Sequence, residues 1–405
     1  MEGFFSKKDT QSISRPAGKT LSCVSCGLYK GADSPKMTPY GKGRKKILII
    51  GEAPGAHEDR KGMPWQGRTG KLLQSTLDDL EIDLFDDCVS VNAVNCRPPD
   101  NRTPSSYEVD CCRTIILSDV IKKTKPRMIL LLGTSALQSF IGPRWQKDLG
   151  GITKWRGFII PDQDYQCFIA PTYHPSYVER SEREVETIWR EDLKRAIRMA
   201  KSPFPAFPTP DIHYIKDLSI LRQFGGVPEV SFDYETTGLK PHAKGHRIVC
   251  ASVAVDREKV FTFMMPNTRK ERLPFIELLI SNTIGKMAHN MKFEEIWTRN
   301  RLRVGIKNWQ WDSMLAAHQL DNRPGITSLK FQVYINFGVV DYSSEITPFF
   351  KGTSNGGNII NRINELLEKP GGKKKLLKYC ALDSHYQFLL ADRQKELIGF
   401  NYLPF

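Results

Sequence analysis

The sequence predicts a two-domain α/β protein, and three features of its 405 residues carry that reading. Short runs of branched apolar residues alternate with helix-period segments through the first half, the pattern of a parallel sheet covered by helices. Composition then breaks at Ser202-Pro-Phe-Pro-Ala-Phe-Pro-Thr-Pro210, a stiff segment that continues neither a helix nor a sheet ladder. Beyond it, Glu229-Val-Ser-Phe-Asp-Tyr-Glu235 alternates as a half-buried strand that opens a second, mixed-sheet domain. The expected organisation is a mobile arm over 1–20, a first domain over 21–201, a linker over 202–211 and a second domain over 212–405.

A chain of this length exceeds what one hydrophobic core usually organises. Its formal charge of +14 and pI near 9.3 favour a polyanionic partner, since Lys and Arg release counterions on meeting phosphates. No apolar run approaches the roughly 20 residues of a membrane span, and the polar start has no signal-peptide core. The expectation is a cytoplasmic protein that binds no membrane. Nine cysteines, an odd number, then point to metal ligands or free thiols over a disulfide framework.

Taken in order, the first chemical signal is Cys23-Val-Ser-Cys26, a gap that lets two sulfurs reach one metal centre. Cys96 and the pair Cys111-Cys112 supply further donors, for a zinc ion or an iron–sulfur cluster. Four strands follow: Ile47 to Ile50, Cys88 to Val94, Met128 to Leu132 and Cys167 to Ala170. Helical patterns at Gly70 to Leu80, Tyr107 to Lys122 and Glu182 to Ala200 separate them. Parallel strands present ligands at their carboxyl ends. Glu52 in Gly51-Glu-Ala-Pro-Gly55, Asn92, and His174 in Thr172-Tyr-His-Pro-Ser176 therefore pool into one site although they are distant in sequence. Gly62-Met-Pro-Trp-Gln-Gly-Arg-Thr69 approaches a phosphate-binding loop, but Arg68 stands where that motif needs Lys. Trp65 reads better as a rigid aromatic platform.

In the second half, Asp233 and Glu235 share one face of their strand, and two carboxylates so placed repel unless a divalent cation lies between them. Strands at Arg247 to Val255 and Lys259 to Met265 form a hairpin about Asp256-Arg-Glu258. Asn290 and Glu294 fall one helical turn apart, as do Tyr379 and Asp383. Asp341-Tyr-Ser-Ser-Glu345 is taken as a coincidental likeness to a polymerase metal strand. Gly352 to Asn358 and Gly371 to Lys375 are taken as flexible, partly basic loops.

These motifs carry two family resemblances. The segment from Cys23 to Ala200 resembles the family 4 uracil-DNA glycosylases through Gly51-Glu-Ala-Pro-Gly55 with Glu58-Asp59, Gly62-x-Pro64-Trp65-x-Gly67, Asn92 with Cys96-Arg-Pro-Pro99-x-Asn101-Arg102, and Tyr173-His-Pro175. The resemblance implies a [4Fe-4S] cluster on Cys23, Cys26, Cys96 and Cys112, with Cys111 a spare thiol. It implies a flipped base stacked on Trp65, its edge read by Asn92, and His174 stabilising charge on the departing base. Gly51, Ala53 and Gly55 would line the base pocket, and Glu52 and Glu58 would position water or shape it. Trp65 departs from the usual Phe, and Asn95 from a common Lys.

The second half resembles the tyrosine-bearing DEDD 3′-5′ proofreading exonucleases, with their ribonuclease H-like fold. Asp233-x-Glu235, Asn290-x-x-x-Glu294 and Tyr379-x-x-x-Asp383 stand in the required order, with Glu294 where the family has Asp. The resemblance implies two Mg2+ (or Mn2+) ions on Asp233, Glu235, Glu294 and Asp383, and Tyr379 orienting a water. Thr236, Gly238, Leu239 and Asn290 would meet the terminal nucleotide. Together the halves resemble the front of bacteriophage family A DNA polymerases. The expected activity is removal of uracil or a modified pyrimidine plus 3′-5′ degradation of single strands, serving a polymerase subunit or other replisome proteins, in a host cytoplasm if phage-encoded. The competing expectation is a module that binds a base without excising it and tethers a polymerase to DNA.

Overall fold

A computed structural model describes residues 21–145, 148–340, 342–350 and 359–399. The expected arm over 1–20, Asp341 and the loop Gly352 to Asn358 lie outside the described residues. The chain divides into two compact units, Met1–Pro205 and Ala206–Phe405.

In the first unit, Ile47–Gly51 (β1) and Cys88–Asn92 (β2) pair in parallel, and β1 pairs in parallel with Met128–Leu132 (β3) on its other edge. Next to β3 runs Cys167–Thr172 (β5), also parallel. The four parallel strands expected from the sequence are all present. A fifth, Ile160–Asp162 (β4), pairs antiparallel with β5 at the edge, giving the order β2-β1-β3-β5-β4. Three residues with a central Pro carry no strand signature, and an edge is where a strand tolerates Pro.

Ile47 to Ile50 and Met128 to Leu132 are almost wholly buried because helices cover both faces of the sheet. Each such side chain contributes about 1.5–3 kcal/mol by leaving water. Leu73, Leu77, Trp189, Leu193 and Ile197, from the helices Arg68–Asp78 and Arg183–Ala200, pack on this sheet. The expected helix over Tyr107 to Lys122 is interrupted: Ser106–Cys112 and Ser118–Thr124 are α-helical, with a π-helical stretch at Arg113–Leu117 between them. Ser105 and Glu108 form a capping box at its start. Because β2 and β3 lie on opposite sides of β1, the connection reverses direction there, and a crevice opens at the carboxyl ends of β1 and β3.

The second unit holds a six-stranded mixed sheet of order β11-β10-β7-β8-β9-β6. Its members are Asp211–Tyr214 (β6), Glu229–Thr236 (β7), Ile248–Ala254 (β8), Lys259–Met264 (β9), Gly285–Ala288 (β10) and Trp309–Asp312 (β11). The expected hairpin is β8 and β9, whose turn is closed by Asp256 Oδ1 accepting from the backbone N–H of Glu258 and Lys259. The short strands β6, β10 and β11 were not expected, being four residues each. As the alternation requires, Val230, Phe232 and Tyr234 enter the core with Phe263 and Phe275. The long helix Gly372–Ile398 lies against β7, β8 and β9. No described helix is long and apolar enough to cross a membrane.

Candidate active sites

The first site assembles at the crevice of the parallel sheet. Gly51 ends β1 opposite Asn92 at the end of β2. A side chain at Gly51 would begin 2.5 Å from Asn92 Oδ1 and 3.1 Å from Trp65 Cζ2, so an amide and an indole edge meet above a residue that must be Gly. Trp65 has φ of 60°, unusual for a bulky residue, and three neighbours hold it there. Glu58 Oε1 accepts from the backbone N–H of Gln66 and Gly67, at 3.0 and 2.9 Å, and Gln74 Nε2 donates to the Trp65 carbonyl at 3.0 Å. Gly70 completes the set, since a Cβ there would lie 2.1 Å from the Trp65 carbonyl oxygen.

The Trp65 ring stacks on His174, with centroids 5.9 Å apart. The backbone N–H of Ser176 donates to His174 Nδ1 at 3.2 Å, and the Ser176 hydroxyl lies 2.7 Å from the same nitrogen. An N–H can only donate, so Nδ1 accepts and the proton of the neutral ring sits on Nε2. Burial, helped by the positive charge of Arg180, lowers the His174 pKa to about 4. The imidazole is therefore a neutral donor at pH 7.

Of the two predicted carboxylates, Glu58 is committed to the Trp65 loop, while Glu52 Oε2 accepts from Ser135 Oγ at 2.8 Å, across from β1 to the end of β3. Sequence reasoning missed Asn95 in this role. Its buried amide donates to the Asn92 carbonyl at 2.9 Å, and its Oδ1 accepts from the Asn92 N–H at 3.3 Å, fixing the backbone of Asn92. The signal was present as a second Asn three residues on, and it was read as a departure from the family pattern.

Beside this turn lie the cysteines. Cys96 and Cys112 are buried and Cys26 partly so, among Leu28, Val94 and Val109, with Ala53 of the turn packed against them. Burial above all, with smaller contributions from the neighbouring Cys26, Cys96 and Cys23, pushes the Cys112 thiol up to about 12. The backbone N–H of Lys36 donates to Cys96 Sγ at 3.2 Å. Among the described residues no three of these sulfurs lie within 4.8 Å of one another. A tetrahedral zinc, with Zn–S bonds of about 2.3 Å, needs them about 3.8 Å apart. Four thiols, with the Lys36 N–H turned to one of the sulfurs, have the donor chemistry of a metal or iron–sulfur site. Cys111, also buried, interacts with Tyr107.

The second site lies on β7 and the long helix. Asp233, Glu235 and Cys380 place donor atoms within 4.8 Å of one another. Burial, and then the Asp383 charge, raise the Asp233 carboxyl well above its usual range. Glu235 and Glu294 are likewise raised by burial and then by Asp233. Glu294 Oε2 is buried with no hydrogen-bond partner among the described residues. Four carboxylates crowded in this way, one oxygen orphaned, have the donor chemistry of a divalent-cation seat.

Asn290 is not in a helix with Glu294 as expected. It takes a left-handed conformation, φ 74°, just before the helix Met291–Trp297, because Asp312 accepts from the N–H groups of both Asn290 and Met291, at 3.0 and 2.9 Å. Thr236 is buried and its hydroxyl donates to the Gly238 carbonyl at 2.8 Å, whereas Leu239 is 78% exposed, an apolar face open to a ligand. Tyr379 packs against Tyr342 and Phe350. Tyr342, dismissed from sequence as part of a coincidental motif, and Lys330 both enter the site. The signal for Lys330 was a lone cation in Leu329-Lys-Phe-Gln-Val-Tyr-Ile335, a stretch otherwise buried in its helix.

Comparison with known proteins separates the halves. Residues 38–195 match the family described as the uracil DNA glycosylase superfamily. The type-4 uracil-DNA glycosylase of Thermotoga maritima is 35% identical over 181 residues, covering 44% of this chain and 89% of that one. A DNA polymerase of Bacillus phage SP01 is 24% identical over 330 residues, 72% of this chain; the chain spans only 34% of that polymerase. Among solved structures, RNase D of Escherichia coli, an exoribonuclease, aligns at 15% identity and a TM-score of 0.35 over 48% of this chain and 47% of its own.

Proposed function

Through its first half the chain belongs to the uracil DNA glycosylase superfamily, in the type-4 branch, and on that premise we propose a bifunctional DNA enzyme. It hydrolyses the N-glycosidic bond of uracil or a modified pyrimidine, and it removes nucleotides from 3′ ends with two divalent cations. The observation that carries the first activity is the convergence of Asn92, Trp65 and the neutral His174 at the end of β1.

The flipped base stacks on the Trp65 indole and is read along its polar edge by Asn92. Its departure leaves negative charge on the ring. His174, with its proton on Nε2, donates to the oxygen where that charge grows, and Ser176 keeps the tautomer in place. Glu52, steadied by Ser135, is the carboxylate left to orient the attacking water. Cys23, Cys26, Cys96 and Cys112 would hold a [4Fe-4S] cluster, which would cross-link the segments that pack around Val94 and Ala53.

In the second half, Asp233, Glu235, Glu294 and Asp383 would hold Mg2+ or Mn2+, which would activate water and neutralise the leaving oxygen. Tyr379 orients the water, and Leu239, with Thr236, Gly238 and Asn290, receives the terminal nucleotide. The match to the phage polymerase, at 330 residues, is longer than either unit and so draws on both. It supports a role beside a DNA polymerase.

Uracil-containing duplexes, incubated with the protein and then treated with alkali, test the glycosylase. Strand breaks at uracil are expected, and intact strands for every modified pyrimidine tried, with base binding retained, would leave a tethering module instead. For the nuclease, a labelled 3′ end should shorten only with Mg2+ or Mn2+. Shortening that survives in an Asp233→Ala, Glu235→Ala variant would place the activity elsewhere.

A further inference from the structure

Lys330 is a buried cation, 7% exposed, in the middle of the carboxylate site. Its ammonium pairs with Asp383 Oδ1, and the Tyr342 hydroxyl donates to that same oxygen at 2.6 Å. Two aromatic rings flank it on adjacent sides, the Tyr342 ring centroid at 3.8 Å and the Tyr379 centroid at 4.2 Å. Burying an ammonium costs several kcal/mol unless it is paired and held. Ion pair, two rings and a shared acceptor are together a built cation site, outside the residue set that the exonuclease resemblance supplies.

The geometry has a consequence for Asp383. Two donors on Oδ1 resist rotation of the carboxylate, and no donor among the described residues engages Oδ2. Oδ2 is then the oxygen available to a cation shared with Asp233 and Glu235. We infer that Lys330 and Tyr342 are positioning residues of the nuclease site, clamping Asp383 by Oδ1 so that it meets a divalent cation through Oδ2 alone. The inference rests on reading these carboxylates as a metal seat.

The opposite role for Lys330 is a competitor that occupies the place of the metal, and the two roles predict opposite signs. Loss of a neighbouring positive charge favours cation binding by electrostatics alone. A weaker site in Lys330→Met therefore reports lost geometry. Mn2+ is titrated into the full chain without DNA and followed by electron paramagnetic resonance. Alongside it run kcat and KM for a single-stranded oligonucleotide. Outer-shell partners of metal ligands typically contribute about 10–100-fold to affinity or activity. Lys330→Met should weaken Mn2+ binding and lower kcat within that range with KM for DNA little changed, and Lys330→Arg should recover most of the loss.

Tyr342→Phe keeps the ring over the ammonium and removes one donor, so it should weaken Mn2+ binding by a smaller factor in a fold that is not in question. Excision of uracil by the same chain, together with its unfolding midpoint, controls for folding of Lys330→Met. Mn2+ binding as tight as, or tighter than, wild type in both variants overturns the clamp. A wild-type chain with no Mn2+ site that Asp233→Ala removes overturns the metal-seat reading itself, and the clamp with it.

Discussion

The indole of Trp65 lies against the imidazole of His174, with ring planes 29° apart and centroids separated by 5.9 Å. The two come from a loop after β1 and from the end of β5, so the contact depends on a backbone that delivers Trp65 in a left-handed conformation. Gly70 permits that delivery. In Gly70→Ala the new methyl would sit 2.1 Å from the Trp65 carbonyl oxygen, and the loop must move. Overpacking of this kind costs about 1–3 kcal/mol. The expected outcome is a matching loss of stability in denaturant unfolding, with single-turnover excision falling further than stability does, because Trp65 no longer faces the base.

If His174 donates to the departing base as proposed, it should set the acid limb of excision. Its pKa of about 4 in the folded protein lies below the usual value near 6.5, so the neutral donor persists well below neutrality. The single-turnover excision rate should be level from pH 8 to about 5 and fall only towards 4. Stability has a defined sign as well. Between pH 6.5 and 4 the unfolded chain binds a proton that the folded chain refuses, so stability declines as pH falls through that window. His289, also lowered to about 4 by burial, adds a decline of the same sign. A His174→Asn variant should lose part of this slope in acid unfolding curves, and a slope equal to that of wild type would mean that the ring is not held neutral.

Asn95 should matter nearly as much as the residue it holds. Its side chain satisfies both backbone groups of Asn92, and leaving a buried donor or acceptor unmade costs about 1–3 kcal/mol. Asn95→Ala is expected to lose stability in that range and to weaken binding of uracil-containing DNA. Asn95→Asp keeps the acceptor for the Asn92 N–H and loses the donor to the Asn92 carbonyl, so its loss of backbone support should fall on the carbonyl side alone. Equal excision kinetics in wild type and Asn95→Ala would assign the amide to folding alone.

For the cysteines, the expected separation is between Cys111 and its neighbours. Cys96→Ser or Cys112→Ser should strip iron, inorganic sulfide and visible absorbance from the purified protein, whereas Cys111→Ser should retain all three. Zinc in place of iron in the wild-type protein would overturn the cluster reading.

Much of this was legible in the sequence, and the gaps have physical causes. The strands Ile47–Gly51 and Met128–Leu132 announce themselves because a strand buried on both faces must be apolar throughout. Asp233 and Glu235 do so because strand alternation places them on one face. By contrast β4, β6, β10 and β11 hold three or four residues each, too few for a period to register. Asn290 was misjudged because its spacing to Glu294 imitates a helical turn, while the backbone is set by Asp312, far along the chain. Lys330 and Tyr342 escaped for the same reason. Their role exists only through contact with Asp383, and no local spacing encodes a contact 41 or 53 residues away.

Glu294 separates stability from function in the second site. In the absence of a divalent cation its carboxylate is buried, one oxygen has no partner among the described residues, and the Asp233 charge opposes its ionisation. A carboxyl whose folded pKa is raised contributes stability that is present at low pH and lost as pH rises through the folded value. Asp233 and Glu235 are raised too, so all three contributions share that sign. The chelated protein should therefore lose stability on their account as pH rises above the ordinary carboxylate range. Glu294→Gln removes one of these charges with little change of shape and supplies a donor. It should raise the unfolding midpoint of the chelated protein at pH 8 by a shift corresponding to about 1–3 kcal/mol. The same variant should lose the further stabilisation that Mn2+ gives the wild type, together with 3′-end degradation. Stabilisation by Mn2+ equal in both proteins would remove Glu294 from the metal seat, because a ligand adds stability only through the state that binds it.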